Sequence, residues 1–237
     1  MVRRAPALLA FVATAVVVVA WFVIAPHLSY AGHAWNVALV AALVLPGTLL
    51  LALFALPLWR YGSWLWLAVA VLAGLAFAFS AAGWGLEANF AKLFAALFAG
   101  WAFLALFEAL SWVVIVALVI PFVDIISVWR GPTHAITQRH FHVYLDVAIA
   151  FLVPGGGAAY LGPPDVLFYA LFLAAAARWE LRVGWTWFAT TFMYGATVVV
   201  ANVAHVGGLP ALPFLSFGFL VANGDLLWRR LRPAAAE

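Results

Sequence analysis

Long apolar runs separated by short polar breaks make up most of this chain. A helix that crosses a bilayer needs about 20 predominantly apolar residues, and eight runs come near that length. Because the runs lack an amphipathic stripe, they predict helices that span a membrane and not helices that lie on its surface. The predicted spans are residues 7–24, 35–58, 64–82, 90–107, 109–129, 163–177, 183–204 and 209–228.

Prolines and charged residues modify some of these spans. Pro46 and Gly47 predict a kink in the second span, and Pro121 predicts a bend or a loosened turn in the fifth. The first span follows Arg3 and Arg4, a pattern that would also fit a signal peptide. We expect a retained helix, because no convincing cleavage site follows it.

The segment 130–162 has a different character from the rest of the chain. Its second half is apolar but short and rich in glycine, so we expect a loop with a short strand near residues 148–153, or a ninth span if this half dips into the membrane. A His-x-His pair in a polar loop is a candidate metal site but is more often solvated, and we expect no metal or other cofactor. The polar residues of the first half are His134, Arg139, His140, His142 and Asp146.

Composition places the chain among integral membrane proteins. Hydrophobic residues make up 69% of it and charged residues only 8%, whereas a soluble domain carries about 25% charged residues. We therefore expect an all-α polytopic membrane protein. The chain has no cysteine, which excludes disulfides, thiolate metal sites and cysteine nucleophiles. Lys92 is the only lysine, so a retinal Schiff base in the last helix is also excluded.

The charges lie mainly at the ends of the spans. The net charge of +3 comes from arginines there and indicates membrane topology, not nucleic-acid binding. We divide the chain into N-terminal helices (1–129), a loop (130–162), a C-terminal three-helix part (163–228) and a basic tail (229–237).

Two aspartates lie within apolar helices. Asp124 falls near the end of the fifth span and Asp165 at the start of the sixth, and a carboxylate at the centre of a bilayer costs about 3 kcal/mol on insertion scales. If the two helices pack antiparallel, both carboxylates lie at a similar depth. One ionised and one protonated carboxyl are the groups needed to activate water and to protonate a carbonyl oxygen. The alternative is that each aspartate caps a helix or forms a hydrogen bond with a serine within the bundle.

A third feature is the sequence Pro-Ala-Leu-Pro at residues 210–213, near the start of the last span. Pro210 and Pro213 remove amide donors and leave backbone groups that hydrocarbon cannot satisfy. Irregular backbone at membrane depth survives only when it is buried in protein or lines a cavity. The same pattern would also fit the ordinary beginning of a helix.

Taken together, the stretches FVDIISVWRGPT, LGPPDVLFYALF and GLPALPFLSFGFL resemble the presenilin and signal peptide peptidase family of intramembrane aspartyl proteases. That family carries Tyr-Asp, Gly-x-Gly-Asp and Pro-Ala-Leu motifs in this order. The resemblance covers residues 108–228 and is closest to presenilin in the C-terminal helices. The chain departs from the pattern at Val123, which replaces the tyrosine, and at Pro163 and Pro164, which leave only Gly162 of the two glycines.

The resemblance implies a presenilin-like bundle in which Asp124 and Asp165 form a catalytic dyad. The substrates would be transmembrane proteins or peptides in the lipid bilayer, hydrolysed without a covalent intermediate, and a strand from the loop before Asp165 would hold the unwound peptide. The alternative is a catalytically weak or inactive relative that binds transmembrane segments or forms a carboxylate-lined channel or scaffold. The substrate-binding positions that it implies are Gly162, Pro164, Pro210, Ala211, Leu212 and Pro213.

We expect a multi-pass protein of a prokaryotic plasma membrane, without nucleic-acid partners and with no indication of obligatory partner subunits. Eight spans would place both termini on one side, and the charge distribution favours the cytoplasm. The presenilin resemblance implies the opposite orientation for the C-terminus. Eight basic residues lie on the side of the termini and three on the other: Arg3, Arg4, Arg60, Arg178, Arg182, Arg229, Arg230 and Arg232 against Lys92, Arg130 and Arg139.

Overall fold

The computed structural model describes residues 4–131, 141–205 and 209–231, and it is mostly helical. One small antiparallel hairpin, β1 (Ile149–Leu152) and β2 (Ala158–Leu161), accompanies the helices. The helices are α1 (Arg4–Ile24), α2 (His33–Leu39), α3 (Leu45–Ala55), α4 (Leu65–Ala81), α5 (Gly85–Leu104), α6 (Leu110–Arg130), α7 (Phe141–Val147), α8 (Pro163–Arg178), α9 (Val183–Val203) and α10 (Leu212–Leu231).

Three stretches of the described chain are long and apolar enough to cross a membrane by length and composition. They are Pro6–His27, His33–Ala81 and Leu110–Arg130. The second contains α2, α3 and α4, and a 3₁₀ stretch, Leu56–Trp64, joins α3 to α4 with a kink at Gly62, whose φ of 56° and ψ of −129° are not helical. These stretches confirm the prediction of an all-α membrane protein at this level.

The kink predicted at Pro46 appears as a π-helical turn, Val40–Val44, between α2 and α3. The amide of Leu45 donates to the carbonyl of Val40, five residues back. Proline has no amide hydrogen, and its ring crowds the carbonyl four residues before it. The wider turn accommodates that ring. Pro121, in contrast, does not interrupt α6.

The helix α8 forms the centre of the fold. Eight consecutive residues, from Tyr169 to Ala176, have no exposed surface. Gly100 of α5 lies directly against this helix, because a Cβ at Gly100 would come 2.2 Å from the carbonyl oxygen of Leu167. Such backbone contact through small residues is how helices associate in membranes.

The helix α9 uses glycine contacts of the same kind on both of its sides. Its Gly195 lies against the backbone of Ala41 in the π-helical turn, and Gly218 of α10 lies against the backbone of Ala189 in α9. The helices α8, α9 and α10 therefore form one compact group. The helix α6 is largely exposed and packs mainly along α10.

A bidentate ion pair closes one end of this group. Arg182, between α8 and α9, donates to both carboxylate oxygens of Asp225 in α10, at 2.6 and 2.7 Å. Asn223 accepts from the Arg182 amide at 3.0 Å and donates to Thr186 Oγ1 at 2.8 Å. These bonds connect the C-terminal helices at the end away from the aspartates.

The segment predicted as a loop is more ordered than expected. The short strand predicted near residues 148–153 is confirmed as β1, while β2 and the short helix α7 were not predicted. The loop prediction for residues 141–147 and 158–161 was therefore wrong. Ile149 and Phe151 of β1 are buried in the core, and burial of their side chains stabilises a strand too short to persist alone. His134, Arg139 and His140 lie outside the described residues.

Candidate functional site

Asp124 lies near the C-terminal end of α6 and contacts the start of α10. Its Oδ2 accepts a hydrogen bond from the backbone N–H of Leu212 at 3.0 Å. Leu212 is the first residue of α10, and the first amides of a helix have no acceptor within it. The structure therefore joins the first aspartate to the Pro-Ala-Leu-Pro segment through a bond between two helices.

Asp165 is the third residue of α8 and caps its own helix. Its Oδ2 accepts from the backbone N–H of Gly162 at 3.2 Å, and its own amide donates to the Gly162 carbonyl at 3.1 Å. Pro163 and Pro164 occupy the first two helical positions, where no amide hydrogen is needed. Gly162 has φ −69° and ψ 145°, an extended conformation open to any residue. The double proline is thus compatible with a regular helix start.

The two aspartates belong to one electrostatic environment, because the charge of Asp124 acts on Asp165. Asp165 and Ala211 line a single cavity of about 510 Å³. We call it the aspartate cavity; its other walls include Tyr144, β2 and Thr197. Asp124 lies outside the lining of this cavity and is joined to the Pro-Ala-Leu-Pro segment through Leu212, which follows Ala211 in the chain.

The predicted substrate-binding residues divide between this cavity and other surroundings. Ala211 lines the aspartate cavity. Its two neighbours along the chain, Pro210 and Leu212, are buried. Pro213 is partly buried in the first turn of α10. Pro164 lies elsewhere: with Pro163 it lines a separate apolar groove of about 840 Å³ along α4 and α5.

The hydrogen bonds of the aspartates are also those of helix caps. Each carboxylate uses its Oδ2 for a backbone amide at the start of a helix, and carboxylates are stabilising at that end of the helix dipole. The capping alternative thus accounts for one oxygen of each aspartate. It does not account for why two such caps, from α6 and α8, lie close enough for their charges to interact.

Tyr144 of α7 lines the aspartate cavity, and the sequence did not indicate a role for this residue. Its hydroxyl donates to the Tyr160 carbonyl at 3.4 Å. Burial, together with the charge of Asp165, raises the pKa of Tyr144 to about 12. The phenol therefore keeps its proton near the carboxylates.

The hairpin has one covered edge and one open edge. On β1, the amide of Ala150 donates to Asn89 Oδ1 at 2.7 Å, and its carbonyl accepts from Asn89 Nδ2 at 3.0 Å. The carbonyl of Leu152 accepts from Trp21 Nε1 at 3.0 Å. Side chains from α5 and α1 thus satisfy the β1 groups that point away from β2.

The register of the hairpin determines which β2 groups point outward. Ala150 lies opposite Tyr160, and residues opposite each other in an antiparallel pair either both bond across or both point away. Since Ala150 points away from β2, the amide and carbonyl of Tyr160 point to the open edge of β2. Residues 158–161 of this strand line the aspartate cavity.

Two buried tyrosines complete the surroundings of the site. The Tyr169 hydroxyl in α8 shares a 3.0 Å hydrogen bond with Thr191 Oγ1 of α9. The Tyr194 ring stacks on that of Tyr169, with centroids 6.2 Å apart and 25° between the planes. No sequence pattern distinguished Tyr194, because it lies in an apolar span that carries no family motif.

His142 is the one member of the candidate histidine metal site that falls within the described residues. In this part of the chain no three His, Cys, Asp or Glu side chains gather at one point. Among the described residues that line the aspartate cavity, the ionisable ones are Asp165, His33, Tyr30, Tyr144 and Tyr160.

Comparisons with protein-family models, with curated proteins and with solved structures found nothing that matches this chain.

Proposed function

We propose that this chain is an intramembrane aspartyl protease that hydrolyses peptide bonds of transmembrane substrates. The observation that carries the proposal is that Asp165 and Ala211 of the Pro-Ala-Leu-Pro segment line one cavity, while Asp124 accepts a hydrogen bond from Leu212, the next residue of that segment. Carboxylates in apolar helices are costly and usually functional. The three motifs that resemble the presenilin and signal peptide peptidase family point to the same chemistry.

The reaction uses the two carboxyl groups in different protonation states. The ionised carboxylate takes a proton from a water molecule, whose oxygen attacks the carbonyl carbon of the substrate peptide bond. The protonated carboxyl donates its proton to the carbonyl oxygen, which gives a tetrahedral diol. The C–N bond then breaks, the amine nitrogen takes a proton from the dyad, and a new carboxyl terminus remains. Two like charges at close range favour this shared, singly protonated state.

The substrate must be extended before it is cut, because the amides of a helix are hidden in its own hydrogen bonds. We propose that the open edge of β2 holds the unwound peptide as an added strand. The outward amide of Tyr160 supports this step, since it lies on the cavity side and β1 is closed by Asn89 and Trp21. The Tyr160 carbonyl already accepts from the Tyr144 hydroxyl.

The proposed membrane arrangement follows the helices. We propose eight spans, made by α1, α2 with α3, α4, α5, α6, α8, α9 and α10, in a prokaryotic plasma membrane. The hairpin and α7 would then lie between the two aspartate helices, and the bundle would be of the presenilin type.

A second candidate function is a catalytically weak or inactive relative that binds transmembrane segments or forms a carboxylate-lined channel or scaffold. The observation that favours it is the capping bond of each aspartate, which gives both carboxylates a structural role without chemistry.

A cleavage assay in lipid vesicles separates the two candidates. The purified protein is incubated with a transmembrane peptide, with and without an aspartyl protease inhibitor that mimics the tetrahedral state. A protease yields inhibitor-sensitive products, whereas a scaffold or channel yields none. In water enriched in ¹⁸O, a protease also places one heavy oxygen in the new carboxyl terminus, because water is the nucleophile.

A further inference from the structure

Tyr194 is a fully buried tyrosine whose hydroxyl has no hydrogen-bond partner among the described residues. Buried polar groups are almost always bonded, and an unsatisfied one in a native fold calls for an explanation. The hydroxyl of its stacking neighbour Tyr169 is already bonded to Thr191. Tyr194 is therefore the phenol of this pair that is available to another group.

The position of Tyr194 places it beside the aspartates. Asp165 and Tyr169 are four residues apart in α8 and share one face of that helix, and Tyr194 stacks on this face through Tyr169. On α9, Thr197 and Val198 follow Tyr194 by one turn, and both line the aspartate cavity with Asp165. The charges of Asp165 and Asp124 both act on the Tyr194 phenol.

We propose that Tyr194 is a positioning residue that donates a hydrogen bond to Asp165 and keeps Asp165 as the ionised member of the dyad. This inference rests on the proposed protease function and assigns the roles within it. Asp165 becomes the base that activates water, and Asp124 becomes the carboxyl that carries the proton.

Two physical effects favour this assignment. A hydrogen bond to the charged form of a carboxyl stabilises that form, and the start of α8 adds the positive end of a helix dipole at Asp165. The hydrogen bond from Tyr194 to Asp165 forms when water and substrate are bound, since catalytic hydrogen bonds are often long or poorly aligned before substrate binds. The other titratable groups that act on this position are Asp124 of α6, Tyr144 of α7 and Tyr169 of α8. Tyr30, His33 and Tyr160 also line the cavity with Asp165, and the cavity residues just before α10, Leu209 and Ala211, do not titrate.

The variant Tyr194→Phe tests the inference in the vesicle assay. The ring and its stacking remain, and only a hydroxyl without a partner is removed, so the fold is retained. We expect kcat to fall about 10- to 100-fold, the range for a hydrogen bond to a charged group, with KM unchanged. The acidic limb of the kcat profile should move to higher pH, because ionised Asp165 has lost a donor. Tyr169→Phe removes the same atom from a bonded tyrosine and should leave that limb in place.

A second measurement does not depend on cleavage. Infrared spectroscopy follows the carboxyl stretch of protonated Asp165 during a pH titration, and Asp165→Asn identifies the band. In Tyr194→Phe, we expect the band to appear at higher pH than in the wild type and in Tyr169→Phe. An unmoved band overturns the role of Tyr194 whether or not the protein cleaves. A moved band in a protein that never cleaves supports the bond between Tyr194 and Asp165 and removes the protease function.

Discussion

At the scale of single residues, substitution can separate the capping role of the aspartates from the chemical role that we propose for them. Asp124 accepts a hydrogen bond from the first amide of α10. An asparagine at this position keeps an oxygen for that amide but cannot ionise, whereas an alanine loses both. The amide variant therefore tests chemistry, and the alanine variant tests capping.

We expect Asp124→Ala to lower the free energy of unfolding by about 1 kcal/mol relative to Asp124→Asn, as for the loss of a helix cap. The measurement is unfolding of the purified protein in mixed micelles, followed by circular dichroism. Equal stability of the two variants would show that the bond to Leu212 contributes nothing.

The sequence singled out candidate residues but did not show how they meet. The aspartates and the Pro-Ala-Leu-Pro segment stood out because charges and prolines are expensive in apolar helices. The hydrogen bond between Asp124 and the Leu212 amide could not be predicted, because it depends on how α6 packs along α10. Tyr194 carried no sequence signal, since a tyrosine in an apolar span is ordinary. The position of Pro164 outside the aspartate cavity also depends on packing.

At the scale of secondary-structure elements, apolar run length was enough to place the long helices, because backbone hydrogen bonds must be satisfied within each segment in lipid. The π-helical turn before Pro46 is a local response to the proline ring and fell close to the predicted kink. The hairpin was predicted only in part. Its second strand, 158–161, follows three glycines and is stabilised by pairing with β1, which a local pattern does not reveal.

The open edge of β2 gives a prediction at this scale. Proline at an outward position of an edge strand removes an amide without breaking the ladder. We therefore expect Tyr160→Pro to raise KM for a transmembrane peptide about 5- to 10-fold, the loss of one net hydrogen bond. Tyr160→Ala keeps the amide and is the matched control. If both variants have the same KM, the peptide does not use this edge.

The contact between α5 and α8 gives a second prediction at the scale of secondary-structure elements. A Cβ at Gly100 would meet the Leu167 carbonyl at 2.2 Å, whereas nothing lies within 4 Å of the same position at Gly74 in α4. We expect Gly100→Ala to destabilise the fold by about 1 to 3 kcal/mol through overpacking. Gly74→Ala should be neutral or slightly stabilising. Equal unfolding free energies for the two variants would contradict the close packing of α5 on the central helix.

At the scale of the whole molecule, the basic residues define one end of the bundle and also stabilise it. Arg178 donates to the Leu104 carbonyl at 2.8 Å, Arg182 pairs with Asp225, and Arg230 donates to the Trp179 carbonyl. These structural bonds do not cancel the topological signal, because Lys and Arg near span ends set orientation during insertion.

We therefore expect both termini in the cytoplasm, which places the end of α6 with Asp124 toward the outside. The chain has no cysteine, so a single cysteine introduced at each terminus in turn can be labelled in intact cells with a membrane-impermeant maleimide. Labelling only after permeabilisation supports this orientation. Labelling of either terminus in intact cells would contradict it, and labelling of the C-terminus alone would also contradict eight spans.

The central claim is that Asp124 and Asp165 act together as one catalytic pair, and cleavage by their amide variants tests it most directly. The initial rate at which a transmembrane peptide is cut in vesicles is measured for the wild type, Asp124→Asn and Asp165→Asn, each checked for a retained helical fold. We predict inhibitor-sensitive products from the wild type and none from either variant, because removal of one carboxyl leaves neither the base nor the acid able to complete the reaction. Wild-type cleavage rates in either variant would contradict the claim.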